Sequence, residues 1–242
     1  MAAVVVGMAV QASISFGFGF FVAPAALAVF RPAQAVTLLL LLALLINSLI
    51  LGTEGRDREI DPRSTALLCL WALPGIVGGA LVVRELDANV LQVAIGAGIV
   101  LAAAFQARSS RDLEPADVPH RETTLGAGGL VSGALTTATS LNGPTVVLTL
   151  TRAGLRGHLL RDTAAAIFLV LAVTGTAALA TLAHSGRSVS HWPLLVALIP
   201  AVAVGHRLGA QLFRRLDAER HRRLVLGAAM VAGTVSIVAG LA

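Results

Sequence analysis

Ser15-Phe16-Gly17-Phe18-Gly19-Phe20-Phe21-Val22-Ala23-Pro24 and Thr139-Ser140-Leu141-Asn142-Gly143-Pro144-Thr145 each interrupt a long apolar segment with residues that break helices. Gly17 and Gly19 allow the backbone to turn and approach a partner closely. The helix is expected to restart at about Phe20. In the second stretch Asn142 suits an N-cap, and Pro144 suits the first turn, where its missing N–H is not needed. Asn142-Gly143-Pro144 therefore reads as a helix start. The two stretches are expected to form two halves of one site.

Where they lie follows from composition. The chain has 242 residues, 56% of them hydrophobic and 13% charged, with a mean hydropathy of +0.84. Soluble domains carry roughly 25% charged residues. The sequence is that of an all-α polytopic membrane protein. Breaks at membrane depth must face protein or a water-filled cavity, because lipid cannot hydrogen-bond the freed amides and carbonyls.

All 18 basic residues are Arg, and they flank the apolar runs as topology determinants do. Only Arg214 to Arg223 forms a cluster, without the aromatic or base-reading partners that nucleic-acid binding needs, so no nucleic-acid partner is expected. The lone Cys69, inside an apolar run, allows no internal disulfide and no multi-cysteine metal site. The first 30 residues carry no charge and so lack the positive region of a removable signal peptide, which predicts a permanent membrane element.

Apolar runs span about 2–30, 33–52, 64–83, 89–107, 124–151, 162–183, 192–213 and 222–242. Six of them match one crossing of a hydrocarbon core roughly 30 Å thick. The two broken runs are longer, about 43 Å if continuous at 1.5 Å per residue, which suits a hairpin that enters and leaves on one side. Were all eight to cross, the two sides would hold 11 and 7 Arg; with 124–151 re-entrant, one side keeps only Arg31, Arg84 and Arg187 and the other receives 15. The positive-inside rule favours the second arrangement for 124–151. For the uncharged first run, re-entrance rests on length and analogy.

An internal repeat carries that analogy. Gly79-Ala80-Leu81-Val82-Val83-Arg84-Glu85-Leu86-Asp87 matches Gly209-Ala210-Gln211-Leu212-Phe213-Arg214-Arg215-Leu216-Asp217, and Gly96-Ala97 recurs as Gly227-Ala228. The chain divides into repeat 1 (1–121) and repeat 2 (122–242), each a broken segment followed by three plain helices, joined by the polar stretch from Arg108 to Glu122. A hairpin plus three crossings per half gives inverted repeats, the plan of many secondary transporters.

A helix N-terminus offers unpaired N–H groups and roughly half a positive charge, and so attracts anions without a cationic side chain. The expected substrate-binding residues are Ser15, Gly17, Phe18, Gly19, Phe20, Thr139, Ser140, Asn142, Gly143 and Thr145. The isolated Gly75, Gly78, Gly175 and Gly233 read instead as packing positions between membrane helices.

On these motifs the sequence resembles the TauE/SafE family of sulfite and organosulfonate exporters over nearly its whole length. That family's pattern has a glycine-rich turn followed by a proline near the start of each half, matched by Gly17-Phe18-Gly19 with Pro24 and by Gly143-Pro144; Phe20 stands where a further glycine is usual. The resemblance implies export of sulfite or an organosulfonate such as sulfoacetate. The helix ends by themselves imply only an anion.

Arg207, with His206, lies about 9 Å before the end of the seventh run if helical. It reads either as an anion clamp or as a side chain snorkelling to water. Asn47 and Ser48 either line the pathway or satisfy a neighbouring helix. His158, His184 and His191 fall in expected loops. No phosphate-binding loop, zinc-protease motif or nucleophile turn occurs, which argues against an ATP-driven pump and against catalysis. No cofactor or metal is expected. The alternatives to a carrier are an anion channel and a membrane assembly subunit in which the breaks only pack. The expected location is the bacterial inner membrane, with both termini extracytoplasmic, a small anion and the lipid bilayer as partners, and a homo-oligomer compatible with the helix faces.

Overall fold

The structure, a computed structural model, describes residues 2–14, 18–53, 58–85, 87–109, 121–182 and 192–215, together with 227, 230–231, 233–238 and 240–241. Every regular element among them is an α-helix: α1 (Ala2–Ile14), α2 (Phe18–Leu27), α3 (Pro32–Thr53), α4 (Pro62–Glu85), α5 (Ala88–Ser109), α6 (Arg121–Ala138), α7 (Gly143–Arg152), α8 (Gly157–Leu182) and α9 (Trp192–Arg215). Residues 233–238 are helical again.

The two expected breaks separate α1 from α2 and α6 from α7. The described residues of α2 begin at Phe18, close to the expected restart at about Phe20, and the Gln11 side chain supplies an acceptor there. One boundary differs from expectation. α8 begins at Gly157, which puts His158 in its first turn instead of a loop.

α4 and α8 are each long and apolar enough to cross a bilayer. Apolar side chains also cover the outside: Leu70, Trp71, Leu101, Val173 and Val231 are all more than half exposed. In water such a surface would be an aggregation liability. Against lipid it is the expected exterior.

Both broken runs double back. Gly128 on α6 lies directly against the Thr149 side chain on α7, so closely that a Cβ there would overlap it. In one straight helix these residues would stand about 31 Å apart. A Cβ on Gly7 of α1 would lie 2.9 Å from Phe18 O and 3.2 Å from Val22 Cγ2 of α2, where a straight helix would separate Gly7 and Val22 by about 22 Å. α1–α2 and α6–α7 are thus helical hairpins.

Each hairpin packs on a long helix through small residues. Gly75 of α4 abuts the carbonyl of Leu130 on α6, and a Cβ on Gly205 of α9 would lie 2.6 Å from the carbonyl of Val5 on α1. Gly175 packs on Thr136 and Gly233 on Gly96, as expected of packing glycines. Gly78 does not: it is exposed with nothing within 4 Å of its Cβ position, because it points out of the helix layer.

One end of the bundle is tied by polar contacts between the segment before α4 and the starts of α6 and α8. Glu59 N–H donates to Asp162 Oδ2 at 3.2 Å, and Asp61 N–H donates to Thr163 Oγ1 at 3.0 Å. The Asp61 carboxylate accepts from Ser64 Oγ at 2.7 Å and pairs with Arg121 at 2.5 Å, while Arg63 pairs with Glu122. The Ser64 hydroxyl first, with the Arg121 guanidinium and backbone N–H groups beside it, holds the Asp61 carboxyl below its ordinary 3.8 against the opposing effect of burial.

Candidate functional site

The tips of the two hairpins meet. A Cβ on Gly19, the second residue of α2, would lie 3.0 Å from Leu141 Cδ2 and 3.2 Å from Ser140 O at the turn between α6 and α7. Any side chain at 19 would have to push Leu141 and the Ser140 carbonyl back by a few tenths of an ångström.

The tips are built differently. At the first, Phe18 N–H, one of the unpaired donors of a helix start, donates to Gln11 Oε1 at 3.2 Å. Gln11 is buried, 7% exposed. A side chain of α1 therefore closes the beginning of α2.

At the second tip, Thr139 N and Ser140 N still bond to the carbonyls of Leu135 and Thr136 at 3.0 and 3.2 Å, so the ladder of α6 runs on past Ala138. Ser140 then adopts φ +59, a left-handed conformation uncommon outside glycine, and the chain reverses. Leu141 N–H donates to Thr139 Oγ1 at 3.3 Å. Pro144 takes its expected place in the first turn of α7. Asn142 sits at the N-cap position but makes no side-chain cap, contrary to expectation. Its Nδ2 donates instead to Thr136 Oγ1 at 2.7 Å, because the hairpin brings α6 within reach of the amide. Among the described residues no side chain caps the start of α7.

A cavity of about 50 Å³ lies between the tips. A single water needs roughly 10–15 Å³ on this measure, so the space suits a few waters or one small anion. Phe18, Gly19, Phe20, Ser140, Asn142, Gly143 and Asn47 all line it, from both halves of the chain. Gln11, Phe168 and Ala172 also line it, together with Leu40, Ala43, Ile46, Leu141 and Pro144, and none of these described residues is charged. Thr139 and Thr145 line a second, larger cavity of about 290 Å³, which shares Leu141 and Pro144 with the first and is otherwise apolar.

Of the remaining expected residues, Ser15 and Gly17 lie outside the described residues. Arg207 is exposed on α9 and lines neither cavity, and Ser48 is exposed on α3. Asn47, by contrast, is 2% exposed. Gln11 carries no motif that would single it out; its one signal is a carboxamide inside an uncharged apolar run. Phe168 and Ala172 come from a helix with no break and were not readable as site residues.

Chemically, this is a neutral cavity walled by aromatic rings, amides and an uncapped helix start. Among the described residues its lining holds no carboxylate, thiol or imidazole, and no group of three metal-binding side chains occurs. It is equipped to hold an anion by N–H donation.

The family model for the sulfite exporter TauE/SafE matches residues 1–236. The chain belongs to this family, which is one of membrane transporters and not of enzymes. No curated protein and no solved structure matches it.

Proposed function

We propose that this TauE/SafE family member is a secondary carrier of the bacterial inner membrane that exports a small sulfur-containing anion, sulfite or an organosulfonate such as sulfoacetate, by alternating access around the two hairpin tips. The observation that carries the reading is the uncapped start of α7 facing a cavity that both hairpin tips wall. The Gly143 N–H and the dipole of that start supply the attraction for the anion. Export is driven at least in part by the membrane potential, negative inside.

Alternating access needs two halves that can exchange roles, and inverted repeats supply them. Two features support such halves. Gly205 is separated from Gly75 by the same 130 positions as Gly209 from Gly79, and both Gly75 and Gly205 abut a carbonyl on the outer arm of a hairpin, at Leu130 and Val5. The polar ties of Asp61 and Asp162 also gather the starts of α4, α6 and α8 at one end. With α6–α7 re-entrant from that end, 15 Arg fall on its side, which then reads as cytoplasmic, and both termini read as extracytoplasmic. Cysteines placed at Arg111 and Arg156 should label from the cytoplasmic side only; labelling from opposite sides breaks the inverted arrangement.

The direct test is sulfite efflux from proteoliposomes. Gly19→Leu thrusts a branched side chain onto Ser140 and Leu141 and into the cavity, and should abolish flux while the protein stays monodisperse in detergent. Undiminished flux removes the hairpin tips from the transport path. Single-channel conductance in planar bilayers would reassign the protein as a channel, and absence of any anion binding would leave the assembly-subunit reading.

A further inference from the structure

Two cavities meet at the second hairpin tip, and they differ in size and in character. The smaller, of about 50 Å³, lies between the tips and is lined by the carboxamide residues Gln11, Asn47 and Asn142. The larger, of about 290 Å³, lies between α5 and the α6–α7 hairpin, with Ala94, Gly98 and Leu101 on one side and Leu135 and Leu148 on the other. Of its two threonines, Thr139 already has its hydroxyl engaged: Oγ1 donates to Leu135 O at 3.0 Å and accepts from Leu141 N–H at 3.3 Å. An apolar space of this kind suits hydrocarbon and not charge.

Among the described residues only Leu141 and Pro144 line both cavities. The ring of Pro144 is fixed in the first turn of α7. Leu141 is a buried side chain whose two methyl groups are divided between the cavities. Cδ2 lies 3.0 Å from the Cβ position of Gly19, which lines the small cavity. Cδ1 lies 3.7 Å from the Cβ position of Gly98, which lines the large one. The backbone of Leu141 is held by its bond to Thr139 Oγ1 and by the left-handed turn at Ser140. What separates the two spaces is therefore the isobutyl group and not the chain that carries it.

We infer that the Leu141 side chain is the partition between the two cavities and so sets the size of the anion that this protein takes: a sulfite-sized oxyanion fits the small cavity, and the carbon chain of a longer organosulfonate is kept out of the large one. This rests on the small cavity being the anion site. Shortening residue 141 to alanine joins the polar space to the apolar one. The joined site takes an amphiphilic sulfonate, its head between the hairpin tips and its chain along α5.

The test is calorimetric titration of the full chain in nanodiscs with sulfite and with methane-, ethane-, propane- and butanesulfonate. The four sulfonates share one head group and a single negative charge, and they differ only in methylene groups. In wild type, butanesulfonate should bind about tenfold more weakly than methanesulfonate, because its chain runs into Leu141. Burial of a methylene in apolar surroundings is worth about fourfold in affinity, so Leu141→Ala should turn that fall into a rise of about fourfold per added carbon. Leu148 lines the large cavity alone, so Leu148→Ala widens it without opening the partition and should keep the wild-type fall. The readout is a ratio of affinities within one protein, and a gain of affinity does not arise from a misfolded chain. A wild-type affinity that is level or rises along the series overturns the partition without any variant. The absence of a rise in Leu141→Ala, or an equal rise in Leu148→Ala, overturns it as well. Failure of both sulfite and methanesulfonate to bind the wild type overturns instead the small cavity as the anion site.

Discussion

The hairpins α1–α2 and α6–α7 share a plan and differ at the tip. In the first, a side chain from the outer arm, Gln11, accepts the N–H of Phe18 and closes the start of α2. In the second, the residue best suited to cap α7, Asn142, is drawn off to Thr136, and the helix starts uncapped. The two turns are thus similar in plan, but one has a helix-start N–H bonded by a side chain of its own hairpin and the other has no side-chain cap. Both tips wall the cavity, the first through Gln11, Phe18, Gly19 and Phe20 and the second through Ser140, Asn142 and Gly143.

The greatest expected effect concerns how tightly each hairpin closes. At Gly128 the α7 arm, through the β-branched Thr149, leaves no room for a methyl group. At Gly7 the nearest atom would be 2.9 Å away. Overpacking a close-fitted site costs about 1–3 kcal/mol. Gly128→Ala is expected at the upper end of that range, and Gly7→Ala near its lower end, by thermal unfolding in detergent. The reverse order would mean that the first hairpin is the rigid one.

The second effect concerns the plug. Gln11→Leu leaves Phe18 N–H buried without its acceptor, a loss of about 1–3 kcal/mol. The same assay applied to a plugged tip and an open tip then separates them. If Gln11→Leu unfolds at the wild-type temperature, Gln11 is no cap and the contrast between the tips fails.

The sequence made the breaks legible because membrane helices are written as long apolar runs, and Gly-x-Gly and Asn-Gly-Pro stand out inside them. Length and arginine placement went further and called for a hairpin in the second run, and the contact between Gly128 and Thr149 has that form. The chemistry of the tips was not legible. Whether Asn142 caps its own helix depends on the distance to Thr136, six residues back across a turn that exists only once Ser140 takes a positive φ. Gln11 was hidden for the same reason: its partner lies across the first turn. Asn47 could be suspected as a polar residue in an apolar helix. That its oxygen and not its nitrogen is free follows only from the bond to Ala43 O.

A smaller effect tests what Asn142 does. A capping residue acts alone, whereas an amide bound to Thr136 is coupled to it. In a double-mutant cycle, Asn142→Ala and Thr136→Val should show a coupling of about 0.5–1.5 kcal/mol in unfolding free energy. Additivity within the error would return Asn142 to the role of cap, and with it make the two tips alike.

The smallest effect lies at the far ends of the hairpins, where the contrast is one of charge. α6 begins at Arg121, paired with Asp61 of the other half, whereas α1 lies in a stretch of 30 residues with no charge at all. The Arg121 side chain is 42% exposed, so screening keeps the pair under about 1 kcal/mol. The sign of its pH dependence is nonetheless fixed. The folded carboxyl of Asp61 lies below its ordinary 3.8, so its contribution is complete above 3.8 and is lost as pH falls through the depressed value. The unfolding temperature of wild type should therefore exceed that of Asp61→Asn by a constant margin near neutrality, and the margin should close in acid below 3.8. A margin that closes well above 3.8 would mean that another group holds this end of α6, and that the second hairpin is anchored no more firmly than the first.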